Sequence, residues 1–352
     1  MKKHVFQLLI FCTLLIILVG CSNGSNLSSM PTLFPSPMKT YTNMPSLVPL
    51  ESTATLTPSA IPQPAFDGRI AFLNISRNYT KLAILDLKTL KIQDINNIEV
   101  DRAFDALSWS PDGEWIAVGG MYPEYQISQL LITNPNGALM SLPFYPHGAN
   151  PDWSSDGKQI IYNGENGIAI FDMFSGKIYQ LTNPTGLAYY PIWSPDETRI
   201  AYIYNQKTST GDAFDQQWEL WAMDSNGKNP HPVIDSISIM HSPIDWSPNG
   251  EWIAFVSFDN LENGTANACG DIYIVRFDGS DLTRLTNLEE CATSISWSPD
   301  GNRIAFIGRN RKNNGDIMKS GWQIYVMDPN GKNIAQVTNE SEWVLYSLDW
   351  GK

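Results

Sequence analysis

At 352 residues the chain has room for one large domain or two ordinary ones, so length leaves the domain count open. Its formal net charge is -13 at pH 7, and such a surface repels phosphate backbones, which argues against nucleic acid as a partner. Loss of Lys2 and Lys3 with a cleaved leader would carry the charge to about -15.

The first 20 residues read as a secretory signal peptide. Lys2 and Lys3 give a positive start, and "VFQLLIFCTLLIILVG" gives an apolar run that ends in the small residue Gly20. The "LVGC" that closes it resembles the bacterial lipobox, which implies cleavage before Cys21 and lipidation of that residue as the membrane anchor. An uncleaved anchor is the competing reading, since the run lies near the lower edge of membrane-crossing length. Both place the rest of the chain outside the cytoplasm. The resemblance also implies that Ser22, which is not Asp, removes the usual inner-membrane retention cue wherever the envelope has an outer membrane.

Residues 21–64 are rich in Ser, Thr, Pro and Asn and lack the apolar period of a packed element. They read as a disordered linker, with a reach of roughly 130 Å at full stretch.

From residue 65 onward one phrase dominates. "SWSPDGEWIAVGG" at 108–120 returns as "DWSSDGKQIIYNG", "IWSPDETRIAYIY", "DWSPNGEWIAFVS" and "SWSPDGNRIAFIG". Trp109, Trp153, Trp193, Trp246, Trp297 and Trp350 are spaced by 44, 40, 53, 51 and 53 residues, the period of propeller blades. Each unit holds four strand-like runs. Ser-Pro-Asp-Gly suits a tight hairpin between the first two, because Pro presets one turn position and Gly takes a left-handed one. "DSNGK", "FDGSD" and "DPNGK" serve the third and fourth strands in the same way. Two departures from the phrase stand out: Ser155 replaces Pro, and Glu197 replaces Gly. The second departure is the costlier, since it puts a side chain at a left-handed position.

The domain opens on "DGRIAFLN", the second half of the phrase, and the chain ends on "SLDWGK", its first half. Joined, they complete another copy, and a last strand that completes the first blade removes an exposed sheet edge. Residues 65–352 number 288, or six units of 48. The expected fold is all-β: a six-bladed β-propeller of four-stranded antiparallel blades, its ring closed by the C-terminal strand.

The W-S-P-D-G-x-x-I-A-F pattern resembles the WD-like repeat of TolB-like propellers, over essentially all of 65–352. The resemblance implies protein contacts in the cell envelope. Similar repeats carry the propeller of prolyl-oligopeptidase-like enzymes, but the chain has no room for their hydrolase domain and no G-x-S-x-G nucleophile elbow.

Chemistry-bearing residues are few. The repeat Trp residues share a strand face with Leu107, Ile244, Ile295 and Leu348, which points to packing between blades rather than sugar stacking; Trp115 and Trp252 are expected to pack as well. His4 lies in the leader, and His147, His231 and His241 fall in separate units without metal-ligand spacing. "DSNGKN" and "DPNGKN" begin like calcium loops but lack the later Glu. No metal or cofactor is expected.

Asp152, Asp245 and Asp349 each precede a repeat Trp on an innermost strand. They either accept hydrogen bonds from nearby backbone amides, the favoured reading, or converge from separate blades on a cation or amine in the channel.

Strand order gathers the long loops on one face, where Tyr122, Tyr125, Tyr145, Tyr189, Tyr190, Phe214 and Trp343 are candidate binding anchors, with Arg309 and Arg311 beside them. Cys269 and Cys291 fall in successive loops of that face. A disulfide is expected between them, closing a loop of about 22 residues and contributing about 3 kcal/mol on chain-entropy grounds.

The sequence therefore points to a monomeric, lipid-anchored, extracytoplasmic module, without catalysis of its own, that binds an envelope protein or peptide through its loop face. The alternative is a carbohydrate or small-ligand binding protein or enzyme working at the channel mouth. A two-lobed solute-capture lipoprotein is disfavoured by the strand-only repeat.

Overall fold

The computed structural model describes residues 66–75, 80–100, 106–122, 127–140, 148–164, 166–182, 187–205, 218–239, 242–257, 270–286, 291–309, 321–340 and 344–352. The leader, Cys21 and the linker lie outside the described residues. All 23 elements among the described residues are β-strands, arranged as a six-bladed propeller of antiparallel blades.

Blade three shows the common plan, its strands β7 (Gly148–Trp153), β8 (Gln159–Gly164), β9 (Gly167–Asp172) and β10 (Ile178–Gln180) pairing in sequence order. In blade two three strands are continued by a single bridge from Thr133 to Leu139. Blades four and five are joined by one pair, Ile239 with Ser257.

The strands read as near-continuous apolar runs because each blade is covered on both faces. With side chains alternating across the sheet, Ile253 and Phe255 of β16 (Trp252–Ser257) join Ala201, Ile203 and Leu220 of blade four in one core cluster. Ala254 and Val256 of the same strand join Ile304 and Phe306 of blade six in another. The outermost strand β10 has no such cover and is exposed throughout.

Closure joins the two ends of the domain. β23 (Leu345–Gly351) pairs antiparallel with β1 (Arg69–Ile75), setting Asp349 opposite Ala71 and Trp350 opposite Ile70. Two bonds fasten the seam, and a third ties it to the next blade. The indole N–H of Trp350 donates to Asp67 O (3.2 Å), and Arg69 donates to Lys352 O (3.2 Å) and to Gly113 O in the next blade (2.6 Å).

The repeated phrase has a job for each letter. In blade six Ser298 Oγ donates to Asp300 Oδ1 (2.6 Å) and accepts the amide of Arg303 (2.9 Å), while Asp300 Oδ1 accepts the amide of Asn302 (3.0 Å). Gly301 turns left-handed at φ 71° and donates to Ser298 O (2.8 Å). The same serine-to-acceptor bond recurs at Ser110, Ser154, Ser194 and Ser247. The Trp residues are buried between blades, 5–9% exposed.

The turns also touch around the ring. A Cβ on Gly157, Gly250 or Gly301 would lie 3.5–3.8 Å from the proline of the preceding turn, respectively Pro111, Pro195 and Pro248. Between the turns of blades three and four both partners are replaced, and the replacements meet. Glu197, held at φ 56°, reaches back to accept hydrogen bonds from Ser155 Oγ (2.5 Å) and the Asp156 amide (3.2 Å). These two departures are thus one feature, a polar link standing where three other junctions set a glycine against a proline.

A double-mutant cycle with Ser155→Pro and Glu197→Gly tests this coupling. Each single change should forfeit the bond, and the double variant should regain the apolar contact, with a coupling of about 1 kcal/mol in urea unfolding. Strictly additive effects would mean that the two positions are independent.

Candidate functional site

The innermost strands run from the loop face toward the tight turns and line the central channel. The residue before each repeat Trp alternates around the ring: Asp349, Ser108, Asp152, Ile192, Asp245, Ser296. Every aspartate reaches across to the next blade. Asp349 Oδ2 accepts the backbone amide of Trp109 (2.7 Å), Asp152 Oδ2 that of Trp193 (2.8 Å) and Asp245 Oδ2 that of Trp297 (2.6 Å). The serines fill the gaps, Ser108 donating to Asp152 (3.3 Å) and Ser296 to Asp349 (2.9 Å) and Asp245 (3.2 Å).

The three aspartates line one cavity of about 40 Å³. No group of three or more His, Cys, Asp or Glu residues among the described residues is arranged to hold a metal ion. Each carboxylate is instead committed to the neighbouring blade.

Burial raises all three carboxyls. Desolvation pushes Asp152 up to about 7, and the charge of Asp349 adds to it against the opposing Trp193 amide and Ser108 hydroxyl. Asp245 is raised well above the usual range by desolvation and then by Asp349; Asp349 is raised by desolvation.

Two further residues of the wall were not singled out by sequence reasoning for what they do there. Asn150 and Tyr190 are left-handed, at φ 50° and 51°, in β-bulges of β7 and β11 (Leu187–Trp193). Each immediately precedes a proline, Pro151 or Pro191, and both line the cavity. Asn150 is 3% exposed, and its Oδ1 has no partner among the described residues. The repeated X-Pro two residues before Asp152 and Ile192 is a sequence signal that could have marked them.

The nine proposed anchors divide. Tyr189 is half-buried, its ring edge-on to Trp218 at 5.5 Å. Tyr190, 4% exposed, packs into the core of blades four and five, and Arg309, 3% exposed, has its guanidinium 5.1 Å from the centre of the Trp322 ring. These two are structural positions rather than projecting loop side chains, because each lies within a strand covered by adjoining blades. Tyr122 ends β5 (Ile116–Tyr122), and its side chain is outside the described residues, as are Tyr125, Tyr145, Phe214, Arg311 and Trp343 altogether. Cys269 is also outside them; Cys291 opens β19 (Cys291–Trp297), its side chain undescribed. Their neighbours Gly270 and Ala292 exchange two backbone hydrogen bonds (3.1 and 3.0 Å).

The raised carboxyls make a signed prediction. A native pKa above the unfolded value means that the native state holds protons the unfolded state has released, so this contribution to stability is full below about pH 4 and is lost as pH rises through about 7. Asp152→Asn keeps an acceptor for the Trp193 amide and removes the titration. Its melting temperature should exceed wild type at pH 8, with the gap narrowing at pH 5; a gap independent of pH would show that Asp152 is not perturbed.

Comparison with known proteins agrees with this architecture. An uncharacterized protein of Agrobacterium fabrum is 28% identical over 215 residues, spanning 56% of this chain and 67% of that one. The Tol-Pal system protein TolB of Francisella tularensis is 25% identical over 246 residues, covering 56% of this chain and 55% of its own length, so the chain spans about half of that relative. The crystal structure of TolB from Acinetobacter baumannii superimposes with a TM-score of 0.61 at 18% identity, over 81% of this chain and 66% of that one. Residues 197–341 match the family model described as the TolB beta propeller domain, and the closed ring makes the chain a six-bladed β-propeller similar in fold to that of TolB.

Proposed function

We propose that the chain is a lipid-anchored, extracytoplasmic propeller that binds a protein or peptide of the cell envelope at its loop face and channel mouth, without catalysis of its own. The observation that carries this reading is the strained wall of the channel. Asn150 and Tyr190, buried in that wall, hold left-handed conformations beside the carboxylate ring, and such strain clusters at functional sites. Likeness to TolB, whose relative's name places it in the Tol-Pal system, supports a protein partner. In this reading residues 1–20 are a cleaved signal, lipidated Cys21 is the anchor, residues 21–64 are the tether, and the monomeric ring stands clear of the bilayer.

The cavity argues against a small molecule as the main ligand. About 40 Å³ accommodates water, whereas ligand pockets run to several hundred Å³.

Crosslinked capture of the full chain from native envelope extract tests the partner, with Tyr125→Ala, Tyr145→Ala and Trp343→Ala together as the control. One protein captured by wild type and lost from the folded variant is expected. No specific protein in either lane would overturn the reading and favour a ligand at the channel mouth. Titration of free thiols in the native, non-reduced protein should find Cys269 and Cys291 unreactive; two reactive thiols would remove the disulfide.

A further inference from the structure

A groove bounded by described residues lies among the tight turns of blades five and six. It has a volume of about 460 Å³. Trp252, Pro248 and Pro329 supply apolar walls, and Asn249 and Asn330 stand at the rim. One turn position helps to shape it. In blade five Phe277 stacks on the repeat Trp246 (5.8 Å, 22°), closing that space. The pairings Ile253 with Val275 and Ile304 with Met327 make Pro329 the blade-six equivalent of Phe277. Pro329 has no aromatic ring to set against Trp297, and both line the groove.

An aromatic wall flanked by amide side chains is the chemistry that recognises a polyproline II segment: proline rings lie against the indole, and amide donors meet the unpaired carbonyls. Such a segment is present in the same chain. "PSAIPQP", residues 58–64, carries Pro58, Pro62 and Pro64 just before the first described residue, Phe66.

Its position favours the groove. The Phe66 ring lies 6.0 Å from the guanidinium of Arg303, Arg303 Nη1 donates to Asn302 O (2.8 Å), and Asn302 lines the groove. One side chain thus separates the start of the ring from the groove's edge. Seven residues in polyproline II conformation extend about 20 Å, ample for that gap.

We propose that residues 58–64 dock as a polyproline II segment in the groove between blades five and six. The segment is then a strap that sets where the preceding chain leaves the ring. This assignment does not depend on what the loop face binds.

Timed elastase digestion of the full chain, read by mass spectrometry, tests it, because elastase cuts after small residues such as Ala54 and Ala60. Pro329→Phe fills the groove as Phe277 does in blade five and leaves the cleaved segment unchanged. Cleavage after Ala60 should be about tenfold faster in Pro329→Phe than in wild type, while cleavage after Ala54 stays the same; tenfold corresponds to about 1.4 kcal/mol of docking. Trp252→Ala, checked for a cooperative melt, gives the same readout if Pro329→Phe does not fold. Equal rates at Ala60 in wild type and a folded variant would overturn the proposal. Protection that disappears on dilution would overturn it too, assigning the groove to the segment of a second copy.

Discussion

Everything in this structure depends on the ring being closed by strand pairing. A blade is a sheet with two apolar faces, and neither is buried until a neighbour stands against it. Six blades satisfy one another only if the last meets the first. β23 does this by lying as the innermost strand beside β1, so that the two ends of the domain share one sheet and one core cluster. Arg69 and Trp350 then fasten the seam with bonds to main-chain oxygens. The closing strand bears Asp349, so closure also sets one of the three channel carboxylates in place.

The channel wall is built from struts rather than from a cavity shaped for chemistry. A carboxylate that accepts the next blade's Trp amide satisfies a backbone donor that the short inner strand leaves over, and it does so across the junction where blades would otherwise slide. The cost is desolvation of three acids around one small space, visible in their raised proton affinity. Each strut sits beside a buried indole. Five of the six repeat Trp residues have no partner for their ring N–H among the described residues, and the exception, Trp350, donates to Asp67 at the seam. Packing area, not hydrogen bonding, accounts for the Trp at that position.

Much of this was legible in the residues. The Trp spacing defines six units, and the split phrase at the two ends predicts the shared blade, because a repeat that buries nothing alone must be completed by its neighbour. Glu197 in a left-handed turn was legible for the same reason, since every other copy has glycine there. Its partner was not. Ser155 lies 42 positions away, and only the stacking of one blade on the next brings the two together. Tyr190 and Arg309 show the reverse case. Both follow or precede loops in sequence and resemble projecting anchors, yet both are buried where adjoining blades cover their strands.

By itself the sequence determined the blade count, the strand order, the tight turns and the place of closure, because these follow from local turn chemistry and from periodic apolar runs. Only the tertiary structure decided which side chains meet across blades. The aspartates' choice of the neighbouring Trp amides joins residues at least 41 positions apart, and the groove is walled by residues of two blades. Their contacts are set by the rotation between adjacent blades, which no local pattern encodes.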